Sequence, residues 1–360
     1  MTTSQKQPAS QSNLKRLEFL LGNLKQYLIS HKSSFLLYCT LGLIFAFAIY
    51  IRINGLGYYQ RASDSFMLYT FSNEIFNGQN PYLRILSSDM IRNRKYPTYP
   101  PLYYYLGVIP LYFGYSSYPA WIVFTKLVFL IPTDFGIAVL IFIILKNRTD
   151  INPWYSVFSV FVWFFNRPNL SIYFYALIDS FTIFFVLLSL YFFTYRPNFS
   201  YFLLGVAIAI KLFPIFLLPL YLITHRKKNI YTLLAYLFYA LICVILVSLP
   251  YLIWNIEAYY RSLLFSATRA ESRFSTATLT MAPWIEKYTF LSRLPMLFAY
   301  FLVYYIHWKK QFDIYLFSAI SFLIWPLINP VVFNQYFVWF VPFALISFGI
   351  HLDMIISKHS

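Results

Sequence analysis

The chain has 360 residues, of which 60% are hydrophobic, 23% are Phe, Tyr or Trp, and only 11% are charged. No soluble domain can cover that much apolar surface. The net charge of +16 sits in short basic loops between apolar runs, as the positive-inside rule expects, so no nucleic-acid partner is expected.

Residues 1–12 are polar and hold Pro8, and nothing near the start reads as a signal peptide. Leu14, Leu17, Leu21, Leu24 and Leu28 then recur at helical spacing among Lys15, Arg16 and Lys25. This predicts an interfacial amphipathic helix on the cytoplasmic surface, within an N-terminal tail of residues 1–33. Residues 34–360 read as one membrane domain. Its first span runs from Phe35 to Ile51, and five preceding basic residues place the N-terminus in the cytoplasm.

Residues 52–99 form the first extracytoplasmic loop. Ser65 to Phe76 within it reads as a short amphipathic helix, which Asn77-Gly78 ends. Pro100-Pro101 opens the second span, where missing N–H donors cost least. A plain count gives ten apolar segments, near 35–51, 101–116, 119–145, 152–166, 171–193, 199–224, 230–254, 290–307, 313–328 and 331–351. Apolar runs of about 20 residues specify helices, because lipid offers the backbone no hydrogen-bond partner. The expected fold is therefore an all-α polytopic bundle of about 10–12 spans, some short or broken. Residues 255–289 form a second large extracytoplasmic loop.

Two segments carry charge in mid-span: 119–145 with Lys126, Pro132 and Asp134, and 199–224 with Lys211 and Pro214. An unpaired charge at bilayer centre is expensive. Each segment is either a single span or a hairpin of two short helices turning back at the outer surface, and the hairpin is the favoured reading for both. Two hairpins would bring Lys146, Arg148 and Arg196 inside. They would also bring Asp134, Asp179, Lys211 and Gln335 to the face that carries Asp64.

Asp64 is the leading candidate for chemistry. It is suited to cap the helix that begins beside it, and a capping position also holds a carboxylate still, as a general base requires. Lys211, Lys95, Arg84, Arg269 and Arg273 can bind a phosphate or meet lipid headgroups. Tyr99, Tyr103, Tyr104 and Tyr105 can stack on a sugar or anchor at the interface. Gln335 and Tyr336 suit ligand contact and helix packing equally. Cys39 and Cys243 lie in apolar runs and the five histidines near span ends, so no metal and no cofactor are expected.

These residues fall in an order that resembles the C-type integral-membrane glycosyltransferases, nearest to mannosyltransferases that use a polyprenyl-phosphate-linked sugar. The carriers of the resemblance are Asp64, Asn77-Gly-x-Asn80-Pro-Tyr82, Tyr99-Pro-Pro-Leu102 and Lys126-Leu-x-Phe129 with Asp134. Lys211-Leu-Phe-Pro214 and Asn329-Pro-x-x-Phe-x-Gln335-Tyr-Phe-x-Trp339 complete them. Several relatives have a second acidic residue beside the first; this chain does not, so no metal is carried over.

The resemblance implies transfer of a sugar, mannose in the family's pattern, to a glycolipid or glycan at the extracytoplasmic face. Asp64 would be the base and Lys211, Lys95, Arg273 and Arg269 the donor-phosphate ligands. Tyr99, Tyr103, Asp134, Asp179, Gln335 and Tyr336 would bind substrate. Membrane lipids are the remaining partner. A lipid or solute transporter or flippase shares the many spans and intramembrane charges, but it predicts internal repeats that are not seen. A purely structural membrane subunit does not account for a loop so rich in Asp, Arg and Tyr.

Overall fold

In a computed structural model of the chain, residues 32–59, 63–87, 96–147, 152–268, 293–310, 313–328 and 334–356 are described. Among them there is no strand, and the fold is an all-α bundle. In chain order the helices are α1 (Lys32–Asn54), α2 (Ser63–Phe76), α3 (Pro101–Tyr112), α4 (Tyr118–Lys146), α5 (Pro153–Phe165) and α6 (Arg167–Phe174). Next come α7 (Asp179–Phe192), α8 (Pro197–Ile210), α9 (Leu218–Thr224), α10 (Ile230–Thr268), α11 (Leu294–Lys310), α12 (Ile314–Ile328) and α13 (Val341–Ile356). Short 3-10 turns stand at Pro81–Leu86, Phe213–Leu217 and Asn334–Val338.

Three of these helical stretches are long and apolar enough to cross a membrane: Ser33–Asn54, Tyr118–Lys146 and Ile230–Phe265. The predicted interfacial helix at 13–30 lies outside the described residues. The chain divides into two units, residues 1–47 and 48–360. The described part of the first is apolar helix with Phe35, Leu36, Leu43 and Phe47 exposed. The second unit holds the end of α1 and every later helix.

Proline starts and glycine stops punctuate the bundle. Pro101, Pro153 and Pro197 stand first in α3, α5 and α8, where a missing N–H costs nothing. α2 ends in a Schellman turn: Gly78 has φ 72°, its N–H bonds the Ile75 carbonyl, and Gln79 bonds that of Glu74. Gly114 ends α3 the same way, and Ala176 (φ 53°) ends α6. A left-handed alanine costs on the order of 1–2 kcal/mol, and here it lets the chain turn so that α7 begins at Asp179.

The two segments with mid-span charges have different outcomes. Residues 118–146 form one helix and not a hairpin. A π-helical turn at Lys126–Leu130 absorbs Pro132, which has no N–H to give and would crowd the carbonyl four residues back. Residues 199–224 do turn back. α8 stops at Ile210, four residues before Pro214, and Lys211 is extended (φ −140°, ψ 141°). Tyr201 and Tyr221, ten residues either side of Lys211, then meet with ring centroids 5.4 Å apart.

The expected loop at 255–289 begins in helix. α10 continues to Thr268 across a kink at Asn255, whose side chain caps the second half by accepting the Ala258 N–H. The expected span at 171–193 is two helices, α6 and α7, divided by the turn at Ala176.

Candidate active site

Asp64 lies in the first turn of α2, inside the helix and not before it, where the N-terminal dipole favours a carboxylate. Its side chain is half-buried, and Oδ2 accepts a hydrogen bond from Gln335 Nε2 at 3.1 Å. The neighbouring Ser65 is fully buried and shares a 2.8 Å hydrogen bond with the Tyr118 hydroxyl. Tyr103, on α3, is within electrostatic reach of both Asp64 and Asp179.

Beside it lies a buried ion pair. Lys211 Nζ is 2.8 Å from Asp179 Oδ1, and Trp339 Nε1 donates to the same oxygen at 2.8 Å. The Lys211 ammonium also sits 4.9 Å from the Tyr99 ring centroid and 5.6 Å from that of Tyr103. Tyr99 and Tyr103 are 4.3 Å apart. Trp339 stacks on Phe213 at 3.7 Å and lies 4.4 Å from Tyr336. The break at Lys211, the start of α7 and the turn at Asn334–Val338 thus converge. Asp179 Oδ2 is buried without a hydrogen-bond partner among the described residues.

The motif Asn77 to Tyr82 builds the wall that carries Tyr99. After Gly78 ends α2, Asn80 Oδ1 accepts the Tyr82 N–H. The Tyr82 hydroxyl then donates to the Tyr99 carbonyl at 2.7 Å, and the Tyr104 hydroxyl accepts the Tyr99 N–H at 3.3 Å. Burial, with Tyr104 close by, pushes the Tyr82 hydroxyl well above its ordinary pKa, so it stays a neutral donor.

Asp134 is elsewhere in this arrangement. It is buried and paired with Arg52 at 2.5 Å, and it accepts from Asn169 Nδ2 at 2.8 Å. Arg52 Nη2 donates to the Phe164 carbonyl at 3.1 Å, and the Tyr173 hydroxyl bonds the Arg52 carbonyl. With its oxygens committed to the protein, Asp134 belongs to a sealed cluster and not to the substrate face expected for it. The sequence held one signal for this pair: Arg52 closes an apolar run, a position that calls for an anion. The bond from Trp339 to Asp179 had no sequence signal beyond the motif that ends in Trp339.

Arg84 is half-exposed and forms an ion pair with Glu74. Lys95, Arg269 and Arg273 lie outside the described residues. Among the described residues, no three His, Cys, Asp or Glu side chains gather as a metal site.

The family model for glycosyltransferase family 87 matches residues 98–324, more than half of the chain, and the chain belongs to that family. The matched stretch includes Tyr99, Tyr103, Asp134, Asp179 and Lys211; Asp64, Gln335 and Tyr336 lie outside it. No curated protein sequence matches the chain.

Proposed function

For this member of glycosyltransferase family 87, we propose transfer of mannose from a polyprenyl-phosphate donor to a lipid or glycan acceptor at the extracytoplasmic membrane face. Asp64 is the general base. The observation that carries this reading is the hydrogen bond of Asp64, a half-buried carboxylate, to Gln335, four residues before the Trp339 that binds Asp179 of the Lys211 pair. Gln335 Nε2 orients the carboxylate through Oδ2, and the carboxylate takes the acceptor's proton.

The acceptor oxygen attacks the anomeric carbon in line. The bond to the polyprenyl-phosphate oxygen breaks, the lipid phosphate leaves with the electron pair, and the anomeric centre inverts. Cations aimed at the leaving phosphate supply the second catalytic contribution. Lys211 offers a donor while tied to Asp179, so Lys95, Arg269 and Arg273 carry the balance of charge. Tyr99, half-buried, offers its ring to the sugar with the buried Tyr103 packed against it, and Gln335 and Tyr336 add polar contacts.

The test uses the purified full chain in lipid nanodiscs with radiolabelled polyprenyl-phosphate mannose and a membrane-lipid extract. The expected result is labelled lipid or glycan product, and Asp64→Asn lowers its rate about 10²–10⁴-fold with donor binding retained. A fully active Asp64→Asn removes the base assignment. Turnover of a different polyprenyl-phosphate sugar, with mannose left untouched, removes the mannose assignment.

A further inference from the structure

One buried cation takes no part in this site. Lys126 is fully buried on α4, at the start of its π-helical turn, and forms no ion pair among the described residues. Its ammonium donates instead to two backbone carbonyls, Gly55 at 2.9 Å and Tyr58 at 2.5 Å, and lies 5.1 Å from the Tyr173 ring centroid. Those carbonyls belong to the turn that leaves α1 and leads to Asp64. A Cβ at Gly55 would stand 2.7 Å from the Phe174 ring, so a larger residue there would force that ring to move.

The same helix holds this route at two further points. Upstream, Asp134 binds Arg52 near the end of α1. Downstream, the Tyr118 ring packs against Tyr59 and Phe66, and its hydroxyl bonds Ser65, the residue after Asp64. Tyr118, Lys126 and Asp134 are spaced eight apart. In an unbroken α-helix Asp134 would point about 160° away from Tyr118. A π-turn holds one extra residue and rotates the rest of the helix back by about 100°, which leaves Asp134 about 60° from Tyr118. Lys126 stands at about 80° on the same count. The π-turn therefore puts all three anchors on one face of α4.

We infer that Lys126 is a positioning residue for Asp64: Lys126 and Tyr118 hold residues 55–59 and the first turn of α2 to one face of α4 and so fix the carboxylate. The inference rests on the reading of Asp64 as base. A misplacement of the base by about 1 Å costs roughly 10²-fold in rate, and a carboxylate in the first turn of a helix holds still only as well as the contacts that fix that turn.

The test measures turnover of polyprenyl-phosphate mannose, and amide exchange of the unliganded full chain in nanodiscs. Lys126→Met is expected to lower kcat about 10²-fold with KM for the donor unchanged. It adds no further loss in the Asp64→Asn background. Exchange over residues 55–59 and 63–68 rises about tenfold. Leu127→Ala, on the exposed side of the same helix, changes neither measurement. If Lys126→Met does not fold, Tyr118→Phe removes one hydroxyl and is read by the same two measurements.

Unchanged exchange overturns the proposal, as does a kcat loss that is equally large without the Asp64 carboxylate. An Asp64→Asn that turns over normally overturns the base assignment instead. The exchange measurement then decides alone whether Lys126 holds the segment.

Discussion

The stretches 118–146 and 197–224 share a sequence plan: a long apolar run with a lysine and a proline near its middle. The first stays one helix and the second turns back on itself. In the first, the helix keeps its course and partners come to it: two carbonyls reach Lys126, and Arg52 reaches Asp134. In the second, the backbone opens at Lys211, and the ammonium is delivered to Asp179, Tyr99 and Tyr103 from distant parts of the chain, with Trp339 on the same carboxylate. A mid-span charge is thus accommodated either by partners brought to an intact helix or by a break that carries the charge to distant partners, and the rule that such charges are costly does not distinguish the two.

The largest expected effect tests the intact-helix half of this contrast. Arg52→Met leaves Asp134 charged and buried, and should destabilise the protein by about 3–5 kcal/mol. The double variant Arg52→Met with Asp134→Leu should recover most of that loss, because two apolar side chains leave no stranded charge. Denaturation in detergent measures the stability, and turnover should return along with it.

Lys211→Met with Asp179→Asn tests the other half. It should regain most of the stability lost by Lys211→Met alone, about 1.5–3 kcal/mol for a charged hydrogen bond, yet leave transfer impaired. Recovery of both quantities would make the two charge clusters equivalent and dissolve the comparison. Gln335→Leu is the mildest change. It removes one hydrogen bond to Asp64 and should lower kcat about tenfold, equivalent to about 1.4 kcal/mol, with the thermal midpoint unmoved.

Part of the site was legible in advance for a local reason. Asn77-Gly78 forecasts a helix stop, and Gly78 does adopt the left-handed conformation a Schellman turn needs. Pro214 forecasts a break, and the helix ends four residues before it. Pro132 gave the same forecast and it failed, because a π-turn can absorb a proline that neighbouring helices hold in place. Asp134 looked like a companion of Asp64 because both are acidic and rare here. Its partner, Arg52, lies 82 positions away, and no periodicity reports a contact of that range.

The sequence by itself determined the class: apolar runs, aromatic content and basic loops leave only a helical membrane bundle. It also determined most helix ends, because proline and glycine act within a few residues of themselves. Tertiary structure alone decided which charges meet. A lone lysine, arginine or aspartate in an apolar run must find a partner, but the run does not say where. Packing brought Lys211 to Asp179 and Arg52 to Asp134, and set Asp64 against Gln335 from the far end of the chain.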